Sequence, residues 1–539
     1  MVVPEQRPWR VAKPHVVRIA NAVRPRLARA ADAVRPRVAR ATAAVRPRVT
    51  RLARAAKPQV ARGTGLKTWQ YTTGAAIAGL ALAAFVVTAA GPWDSTGQRT
   101  AERDRAAAQE STGGADHGRN SGTTATAPRP APSAASVLTG LGGTANTVKS
   151  APNGRALAAV LDPLLKDAAL GSRHTAAVVD VATGKQLYAS GAGEALTPAS
   201  TTKIATAVAA LSAMGADHRL TTRAALEPDT KELVLVGGGD PTLTAREDAE
   251  GWASLRTLAD RTAAALKKRG LREVTLSYDT TLYAGPELHS IGENPNLALV
   301  SALMADEART DDSTSGQVER VPDPAADATR MFADFLKDHG IKTTAPGPSK
   351  ATGRADTLAT VQSPPLSALV ERMLTNSDND IAEALARQTA IATGEEASFD
   401  GAGRAIQARL KKLGLPVAGA HFKDGSGLSR DDRLTVGLLT GLLAKSADPA
   451  HPELRPALTG LPVAGFTGTL TSRYTDGAAG VVRAKTGTLT GVNALAGTVV
   501  DQDGHLLAFA FLASDTTDAG AAQSVLDRTA TALASCGCR

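Results

Sequence analysis

Three short polar strings limit what this chain of 539 residues can fold into more than any other feature. A Ser-x-x-Lys string occupies residues 200–203, a Ser-Asp-Asn string residues 377–379 and a Lys-Thr-Gly string residues 485–487. Each string alone is weak evidence for a function, because two or three fixed residues recur by chance in a chain of this length. The ordered set is strong, and it predicts one site for acyl transfer on a serine, built from three distant segments.

Ser200 and Lys203 have the context of a nucleophile and its base. Ile204, Val208 and Leu211 mark the apolar face of a helix, so Ser200 is predicted to stand at that helix's N-terminus. Lys203 lies one turn further on, on the same side. A lysine whose pKa is lowered by partial desolvation can take the proton of a serine hydroxyl. Alone, the string also fits a helix-capping serine beside a surface lysine.

The second string stands where a loop enters a helix. The apolar pattern of residues 381–390 predicts that helix, and Ser377 and Asn379 come just before it. The hydroxyl of Ser377 can relay a proton, and the amide of Asn379 can hold a substrate carbonyl group. Alone, this string is more typical of a helix cap.

The third string is predicted to end a strand. Lys485 supplies a cation for a carboxylate, and the hydroxyls of Thr486 and Thr488 add polar contacts. Gly487 has no side chain, so the backbone of a ligand can come close to it. Alone, this string is typical of a turn.

Both ends of the folded part contain predicted strands and helices. Helices are predicted over residues 155–169 and 519–534, and strands over residues 175–181, 186–189, 481–484, 493–500 and 505–513. The pattern indicates one sheet built from sequence-distant pieces, with the middle of the chain forming other lobes. Aromatic residues are only 3% of the chain, so Ala, Val and Leu must fill most of the core.

In this order and context, the strings resemble those of penicillin-binding proteins and serine β-lactamases. The chain is more narrowly similar to the D-alanyl-D-alanine carboxypeptidase/endopeptidase family of low-molecular-mass class C penicillin-binding proteins, which is peptidase family S13-like. Further segments that resemble sequences of that family lie at residues 235–243, 424–430, 465–470 and 483–489. The resemblance covers about residues 152–535. It implies an α+β fold of the transpeptidase type, with an antiparallel sheet flanked by helices and a helical lobe.

The resemblance also implies an inserted domain. Ser200 and Ser377 are 177 positions apart, far more than a compact β-lactamase needs. We place the insertion, a mainly β or mixed domain typical of the family, at residues 221–362. The catalytic domain is then split between residues 154–220 and 363–535.

Two strands are predicted within the insertion, over residues 232–236 and 274–278. Three consecutive glycines at residues 237–239 follow the first of them. No Lys-Ser or Lys-Thr pair comes after these glycines, so we interpret them as a turn and not as a phosphate site.

The resemblance implies a mechanism for these residues. Ser200 attacks the carbonyl of a terminal D-Ala-D-Ala bond, and Lys203 is the general base. The backbone N–H groups of Ser200 and Thr488 hold the oxyanion. Ser377 and Lys485 help to return a proton to the leaving amine. Water then hydrolyses the acyl-enzyme, so the protein is expected to be a D,D-carboxypeptidase, or an endopeptidase when the leaving amine belongs to a cross-link.

The same resemblance assigns the binding groups. Asn379 holds the acyl chain, and Lys485, Thr486 and Thr488 bind the terminal carboxylate beside Gly487. Peptidoglycan stem peptides are the expected substrates and β-lactams the expected inhibitors. No cofactor or metal is expected, because the nine histidines include no H-E-x-x-H pair. A serine β-lactamase, or a β-lactam-sensing or wall-binding protein without turnover, remains an alternative.

The N-terminal arm carries most of the positive charge. Residues 1–67 contain 17 Lys and Arg against Glu5 and Asp32, a net charge of +15, so residues 68–539 carry a net −6. Prolines recur every 11 residues in this arm, at Pro14, Pro25, Pro36, Pro47 and Pro58. The repeat fits a basic amphipathic helix on an anionic membrane, or equally a disordered basic tail. Nucleic-acid binding is less favoured, because aromatic residues for stacking are not interleaved.

A charge-free stretch at residues 68–93 is predicted to cross the membrane as a helix. Trp69 and Trp93 flank it like interfacial anchors, and the basic arm before it indicates a cytoplasmic N-terminus with the catalytic part outside. A cleaved signal peptide ending near residues 88–90 is the alternative. Residues 94–153, rich in Ala, Gly, Ser, Thr and Pro, are predicted to be a disordered linker that lets the exterior domain reach the cell wall.

The two cysteines, Cys536 and Cys538, stand one residue apart near the C-terminus. They cannot join distant parts of the fold. A local disulfide, a free pair and a metal contact remain open, and a disordered tail is the expectation.

Overall fold

The computed structural model describes residues 152–474 and 477–538. The predictions for the arm at residues 1–67, the helix at 68–93 and nearly all of the linker lie outside these residues. Among the residues that the structure describes, no helix combines the length and apolar character needed to cross a membrane.

The described residues contain thirteen strands, numbered in chain order. They are β1 (Arg173–Asp180), β2 (Gln186–Ser190), β3 (Ala195–Leu196), β4 (Thr221–Leu226), β5 (Glu232–Val236), β6 (Glu273–Asp279), β7 (Lys342–Thr343), β8 (Gly347–Pro348), β9 (Asp356–Gln362), β10 (Leu434–Thr435), β11 (Val482–Leu489), β12 (Val492–Val500) and β13 (Leu506–Ser514).

Within residues 152–474 and 477–538, ten α-helices accompany these strands. They are α1 (Gly154–Leu165), α2 (Thr202–Met214), α3 (Leu255–Lys268), α4 (Pro324–Asp338), α5 (Leu366–Asn376), α6 (Asn379–Thr393), α7 (Phe399–Lys412), α8 (Val436–Ala447), α9 (Pro456–Thr459) and α10 (Ala519–Ala534).

Strands from both ends of the folded part form one five-stranded antiparallel sheet in the order β11-β12-β13-β1-β2, as predicted. Helices cover both faces, so β12 and β13 are buried almost throughout and their sequences are mainly apolar. In β13, Phe509 and Phe511 pack with α1 and α10, whereas Ala508, Ala510 and Leu512 face the helical core built around α2 and α8.

A second sheet is formed by residues 221–362. Its strand order is β7-β6-β5-β4-β9, with β8 also paired to β6. Strands β4, β5 and β9 pair antiparallel, whereas β5, β7 and β8 run parallel to β6. Helices α3 and α4 pack on this sheet through an apolar core that includes Leu258, Leu276 and Phe332. Between β6 and α4, residues 280–323 contain no regular element longer than the 3-10 turn Asp306–Ala308.

Two local predictions need correction. The Lys-Thr-Gly string lies inside β11 and not at its end, because β11 stays paired with β12 as far as Leu489, and Gly491 provides the turn with a φ of 75°. The helix predicted over residues 155–169 ends at Leu165 and resumes as a 3-10 turn, Ala168–Leu170, which the side chain of Asp167 caps.

The C-terminal residues are packed, contrary to the expected disordered tail. Cys536 and Cys538 are buried in the core beneath α1 and α10 and are joined by a disulfide. The carbonyl of Cys538 accepts the N–H of Asn153 at 2.6 Å. This short hydrogen bond ties the two ends of the described part together.

Candidate active site

Ser200 lies in a strained turn at the start of α2. The turn is the 3-10 segment Ala199–Thr201, and Ala199 has a φ of 48°, a left-handed conformation that costs a non-glycine residue about 1–2 kcal/mol. Gly427 packs against the carbonyl of Ala199 so closely that any side chain there would collide with it. The predicted position of Ser200 at a helix N-terminus agrees with this geometry.

Lys203 is completely buried in the first turn of α2, three residues after Ser200. Its Nζ donates to Oγ of Ser200 at 3.1 Å, to Oδ1 of Asn379 at 2.7 Å and to the carbonyl of Ser426 at 2.7 Å. Burial lowers the pKa of Lys203 to about 8, although nearby carboxylates, Asp424 foremost, oppose the fall. A neutral amine in this place keeps two donors for Asn379 and Ser426 and turns a lone pair toward the serine hydroxyl, which is the arrangement of a general base.

Ser377 and Asn379 stand at the junction of α5 and α6. Ser377 ends α5 with a left-handed backbone, φ 60°, and Asp378 caps α6 by accepting the N–H of Ile381. Oδ1 of Asn379 faces Lys203, and its Nδ2 donates to the carbonyl of Asn296 at 2.9 Å. Asn379 therefore holds the base as well as facing the cleft.

Strand β11 forms the opposite wall. It is an edge strand of the five-stranded sheet, and its Gly487 faces the nucleophile turn. A Cβ at Gly487 would lie 2.6 Å from the carbonyl oxygen of Pro198 and 3.1 Å from Cβ of Ala199. Glycine is needed here because the strand and the turn approach each other, and not because of a turn in β11 itself.

Lys485 is buried beneath the cleft with no exposed surface. Its Nζ donates to the carbonyl of Thr486 at 2.8 Å. Burial, with the charge of Lys203 adding to it, holds the pKa of Lys485 well below its ordinary value. A substrate carboxylate close by would favour the charged form, so Lys485 can both donate a proton and hold an anion.

A cleft of about 250 Å³ brings most of these predicted residues together. The predicted site residues that line it are Ser200, Ser377, Asn379, Thr486 and Thr488. The hydroxyl of Thr486 donates to that of Thr469 at 3.0 Å, and the hydroxyl of Thr488 accepts from Gln523 at 3.4 Å. Ser200 and Thr488, whose backbone N–H groups are the predicted oxyanion donors, thus border one space.

Residues 280–323 supply a wall that the sequence did not indicate. Asn296, Arg309 and Arg320 line the cleft beside the exposed segment 315–317. Arg320 pairs with Asp380 at 2.9 Å, directly after the Ser-Asp-Asn string. No motif or periodicity marks these residues, because their role depends on the path of an irregular segment.

A second ion pair anchors this segment to α5. The carboxylate of Glu307, in the turn Asp306–Ala308, accepts from Arg309 at 2.8 Å and from Arg372 at 2.5 Å. Glu307 is 1% exposed and Arg372 belongs to α5, which ends at Ser377. Removing Glu307 would take from Arg309 and Arg372 the carboxylate that both contact, so this residue links the segment to α5.

Two buried clusters among the described residues have side chains of types that bind metals. They are His289, Glu383 and Asp424, and Glu307, Asp378 and Asp380. In the first, both carboxylates accept backbone N–H groups, and in the second, arginines pair with the carboxylates. These contacts identify both clusters as parts of the hydrogen-bonded frame of the site.

The sequence is similar to known proteins over most of the described residues. The model of the D-Ala-D-Ala carboxypeptidase 3 (S13) family matches residues 157–313 and 307–533. Carboxypeptidase DacB of Mycolicibacterium smegmatis is 37% identical over 404 residues, which is 72% of this chain and 85% of that protein. The D-alanyl-D-alanine carboxypeptidase of an Actinomadura species is 30% identical over 428 residues, which is 64% of this chain and 79% of that protein.

Solved structures show the same fold. Penicillin binding protein 4 of Haemophilus influenzae superimposes with a TM-score of 0.56 at 21% identity, covering 68% of this chain and 94% of that one. Its complex with a β-lactam superimposes with a TM-score of 0.53. The described part of the chain therefore has the penicillin-binding-protein type of α+β fold.

Proposed function

Because the chain belongs to the D-Ala-D-Ala carboxypeptidase 3 (S13) family, we propose that the cleft around Ser200 cleaves peptide bonds after D-Ala in peptidoglycan stem peptides. The chain is a serine-type D-Ala-D-Ala carboxypeptidase or endopeptidase. The observation that carries the site assignment is Lys203, which is fully buried, has a pKa of about 8 and lies 3.1 Å from the hydroxyl of Ser200.

Acylation begins when neutral Lys203 takes the proton of Ser200 while Oγ attacks the carbonyl carbon. The negative charge that develops on the carbonyl oxygen is held by the N–H groups of Ser200 and Thr488, which border the same space. The peptide bond then breaks, and the proton that Lys203 removed passes to the leaving amine with the help of Ser377 and Lys485, so Lys203 is neutral again in the acyl-enzyme. Burial suits Lys485 to this role because it favours the neutral, proton-losing form.

Water completes the reaction. Its oxygen attacks the ester carbonyl while Lys203 takes one of its protons. The ester bond then breaks, Lys203 passes that proton to Oγ of Ser200, and the shortened peptide leaves as a carboxylic acid. If the amine released in the first step is free D-Ala, the enzyme is a carboxypeptidase. If it belongs to a neighbouring stem peptide, the enzyme is an endopeptidase.

Binding groups follow from the same geometry. Asn379 presents its amide at the cleft, and one of its two N–H hydrogens remains for a substrate carbonyl after the bond to Asn296. The hydroxyls of Thr486 and Thr488, which line the cleft, receive the terminal carboxylate. The side chain of Lys485, buried beneath them, contributes its positive charge when it is protonated. A β-lactam presents a carbonyl and a carboxylate in a similar arrangement, so it is expected to acylate Ser200.

Release of D-Ala from a peptide ending in D-Ala-D-Ala tests the function. Wild type should release D-Ala, and Ser200→Ala should not. A wild type that labels stably with a fluorescent penicillin but releases no D-Ala would indicate a sensor. Rapid loss of the label with free penicilloic acid would indicate a β-lactamase.

For the N-terminal part, we propose that residues 68–93 span the cell membrane, with residues 1–67 in the cytoplasm and the catalytic part outside. The absence of charge over residues 68–93 and the net +15 of residues 1–67 support this orientation. Residues 94–153 then act as a tether toward the wall.

Extraction of membranes at alkaline pH tests the span. The full chain should stay with the lipid, and a chain without residues 68–93 should be released. Retention of the shortened chain would contradict the span. A chain without residues 68–93 that also fails to bind anionic vesicles at low salt would contradict a membrane-surface role for residues 1–67.

A further inference from the structure

One loop holds the catalytic lysine from behind. The carbonyl of Ser426, in the loop of residues 424–429, accepts from Nζ of Lys203 at 2.7 Å. The preceding carbonyl, of Gly425, accepts the hydroxyl of Thr206 from the next turn of α2 at 2.6 Å. Ser426 is fully buried, so its carbonyl has no contact with water. The position of the Ser426 carbonyl oxygen therefore helps to determine the position of the Lys203 amine.

A carboxylate on α6 fixes that part of the loop. Glu383 is 1% exposed, and its Oε1 accepts the N–H of Ser426 at 2.8 Å. Both of its oxygens also accept the N–H of Gly425 at 3.1 Å. Because Glu383 lies one turn after Asn379 on the same helix, α6 controls two of the three acceptors around Lys203.

A second carboxylate closes the loop on itself. Asp424 has no exposed surface and accepts the N–H groups of Gly427 and Ser429, each at 2.6 Å. Nε2 of His289, from the irregular segment 280–323, donates at 2.9 Å to Oδ2 of Asp424, the same oxygen that accepts the N–H of Ser429. Nδ1 of His289 accepts the N–H of Ile291, so Nε2 carries the hydrogen.

We propose that Glu383, Asp424 and His289 are positioning residues for acylation, because they hold the loop of residues 424–429 where its Ser426 carbonyl keeps Lys203 against Ser200. None of the three lines the catalytic cleft. They act through the loop and the lysine. This inference rests on the function proposed above.

The charges around Lys203 give the proposal a signature in pH. The charged groups that act on it are the carboxylates of Asp424, Glu383, Asp378 and Asp380. The carboxylates favour the charged form of Lys203. Replacing Glu383 or Asp424 by its amide removes part of this effect, so the rise of the acylation rate with pH should move to lower pH.

The test is single-turnover acylation of the full chain by a fluorescent penicillin between pH 6 and 9. Glu383→Gln and Asp424→Asn should label the same fraction of molecules as wild type, with a rate constant at least about tenfold lower at the plateau. In both variants, the rise of the acylation rate constant with pH should move to lower pH. A purely structural role would lower the labelled fraction and leave the rate constant and its pH dependence unchanged.

Asp501→Asn is the matched control. Asp501 is also buried, accepts two backbone N–H groups and faces a histidine at 3.1 Å, but it lies in the turn between β12 and β13, away from the cleft. Its rate constant and pH dependence should equal those of wild type. Should neither amide variant fold, His289→Gln carries the test with an expected loss of a few-fold.

Wild-type rate constants and pH dependence in the folded variants would overturn the inference alone. If wild type and Ser200→Ala label equally, the proposed function fails, and the inference fails with it. The two failures are distinguishable. In the first, labelling of the wild type still depends on Ser200, and only the expected effect of the variants is missing. In the second, labelling of the wild type does not depend on Ser200.

Discussion

The five-stranded sheet and the sheet of residues 221–362 both pack helices over an apolar core, but they contribute to the site by different means. In the first, functional groups stand on regular elements: Lys203 in the first turn of α2, Asn379 at the start of α6 and Lys485 within β11. In the second, the groups that reach the cleft come from the irregular segment 280–323. Regular elements place the reacting groups, and the irregular segment encloses them.

The two regions also differ in what they bury. Within the described residues, the first region buries two lysines, Lys203 and Lys485, with no exposed surface. The core around β5 and β6 contains apolar side chains such as Leu235 and Phe332. Burial of a lysine lowers the stability of the fold, and it also lowers the pKa of the amine. The first region is therefore less stable than an apolar core would be, but its lysines are reactive. The apolar core of the second region, unlike its irregular segment 280–323, is expected to tolerate change without loss of chemistry, and four experiments test this difference.

The largest effect is expected for Lys203→Met. It keeps the length of the side chain and removes the base, so the acylation rate should fall by about 10²–10⁴-fold. The rate of labelling by a fluorescent penicillin measures it. Lys445→Met, which changes a partly exposed lysine paired with Asp448 in the same region, should be labelled at the wild-type rate. An unchanged rate in Lys203→Met would remove the base from this mechanism.

The next effect is expected for Gly487→Ala. The new Cβ would lie 2.6 Å from the carbonyl oxygen of Pro198, so β11 must move away from Ser200. A displacement near 1 Å can cost about 10²-fold in rate. Gly193→Ala is the control, because no atom lies within 4 Å of its Cβ. Equal acylation by both variants would mean that the close approach of strand and turn is not needed.

A third effect concerns pH. Lys203 must be neutral to take a proton, and its pKa is about 8. The acylation rate should therefore rise about tenfold per pH unit below 8 and level off above it. Stopped-flow labelling between pH 6 and 9 measures this rise. A rate that stays flat down to pH 6 would show that another group sets the protonation state.

The smallest effect on activity is expected for Phe332→Ala, in the core of the second sheet. Loss of this buried ring should lower the free energy of unfolding by about 3–5 kcal/mol, and the acylation rate of the folded molecules should stay within about twofold of wild type. Phe509→Ala, an equally buried change beneath the first sheet, should lower both quantities. If Phe332→Ala slows acylation as much as Phe509→Ala, the division of roles between the two sheets is wrong.

The regular part of the site followed from the sequence. Ser200 and Asn379 stand at helix starts that local apolar patterns predict, and β12, β13 and α10 were found with errors of about one residue at their ends. Local pattern suffices for these elements because each is defined by its own hydrophobic face. The sequence did not predict that β11 continues beyond Gly487, because pairing with β12, and not local composition, extends the strand to Leu489.

The remaining contacts needed the folded chain. The group of Ser426 that accepts from Lys203 is its backbone carbonyl. Every residue has such a carbonyl, so the residue type in a sequence does not indicate this contact. The segment of residues 424–430 was noticed for its resemblance to a family, but its hold on Lys203 depends on Glu383, which lies 41 positions before Asp424. The wall from Asn296 to Arg320 belongs to a segment without periodicity, so pattern analysis could not place it.

Intact-mass spectrometry of the chain after incubation with benzylpenicillin, followed by peptide mapping, examines covalent acyl transfer on Ser200 itself. Wild type should gain the mass of one penicilloyl group, carried by the peptide that contains Ser200, and Ser200→Ala should gain none. A wild type that gains no mass, or an adduct that persists in Ser200→Ala, would contradict the assignment of Ser200 as the nucleophile.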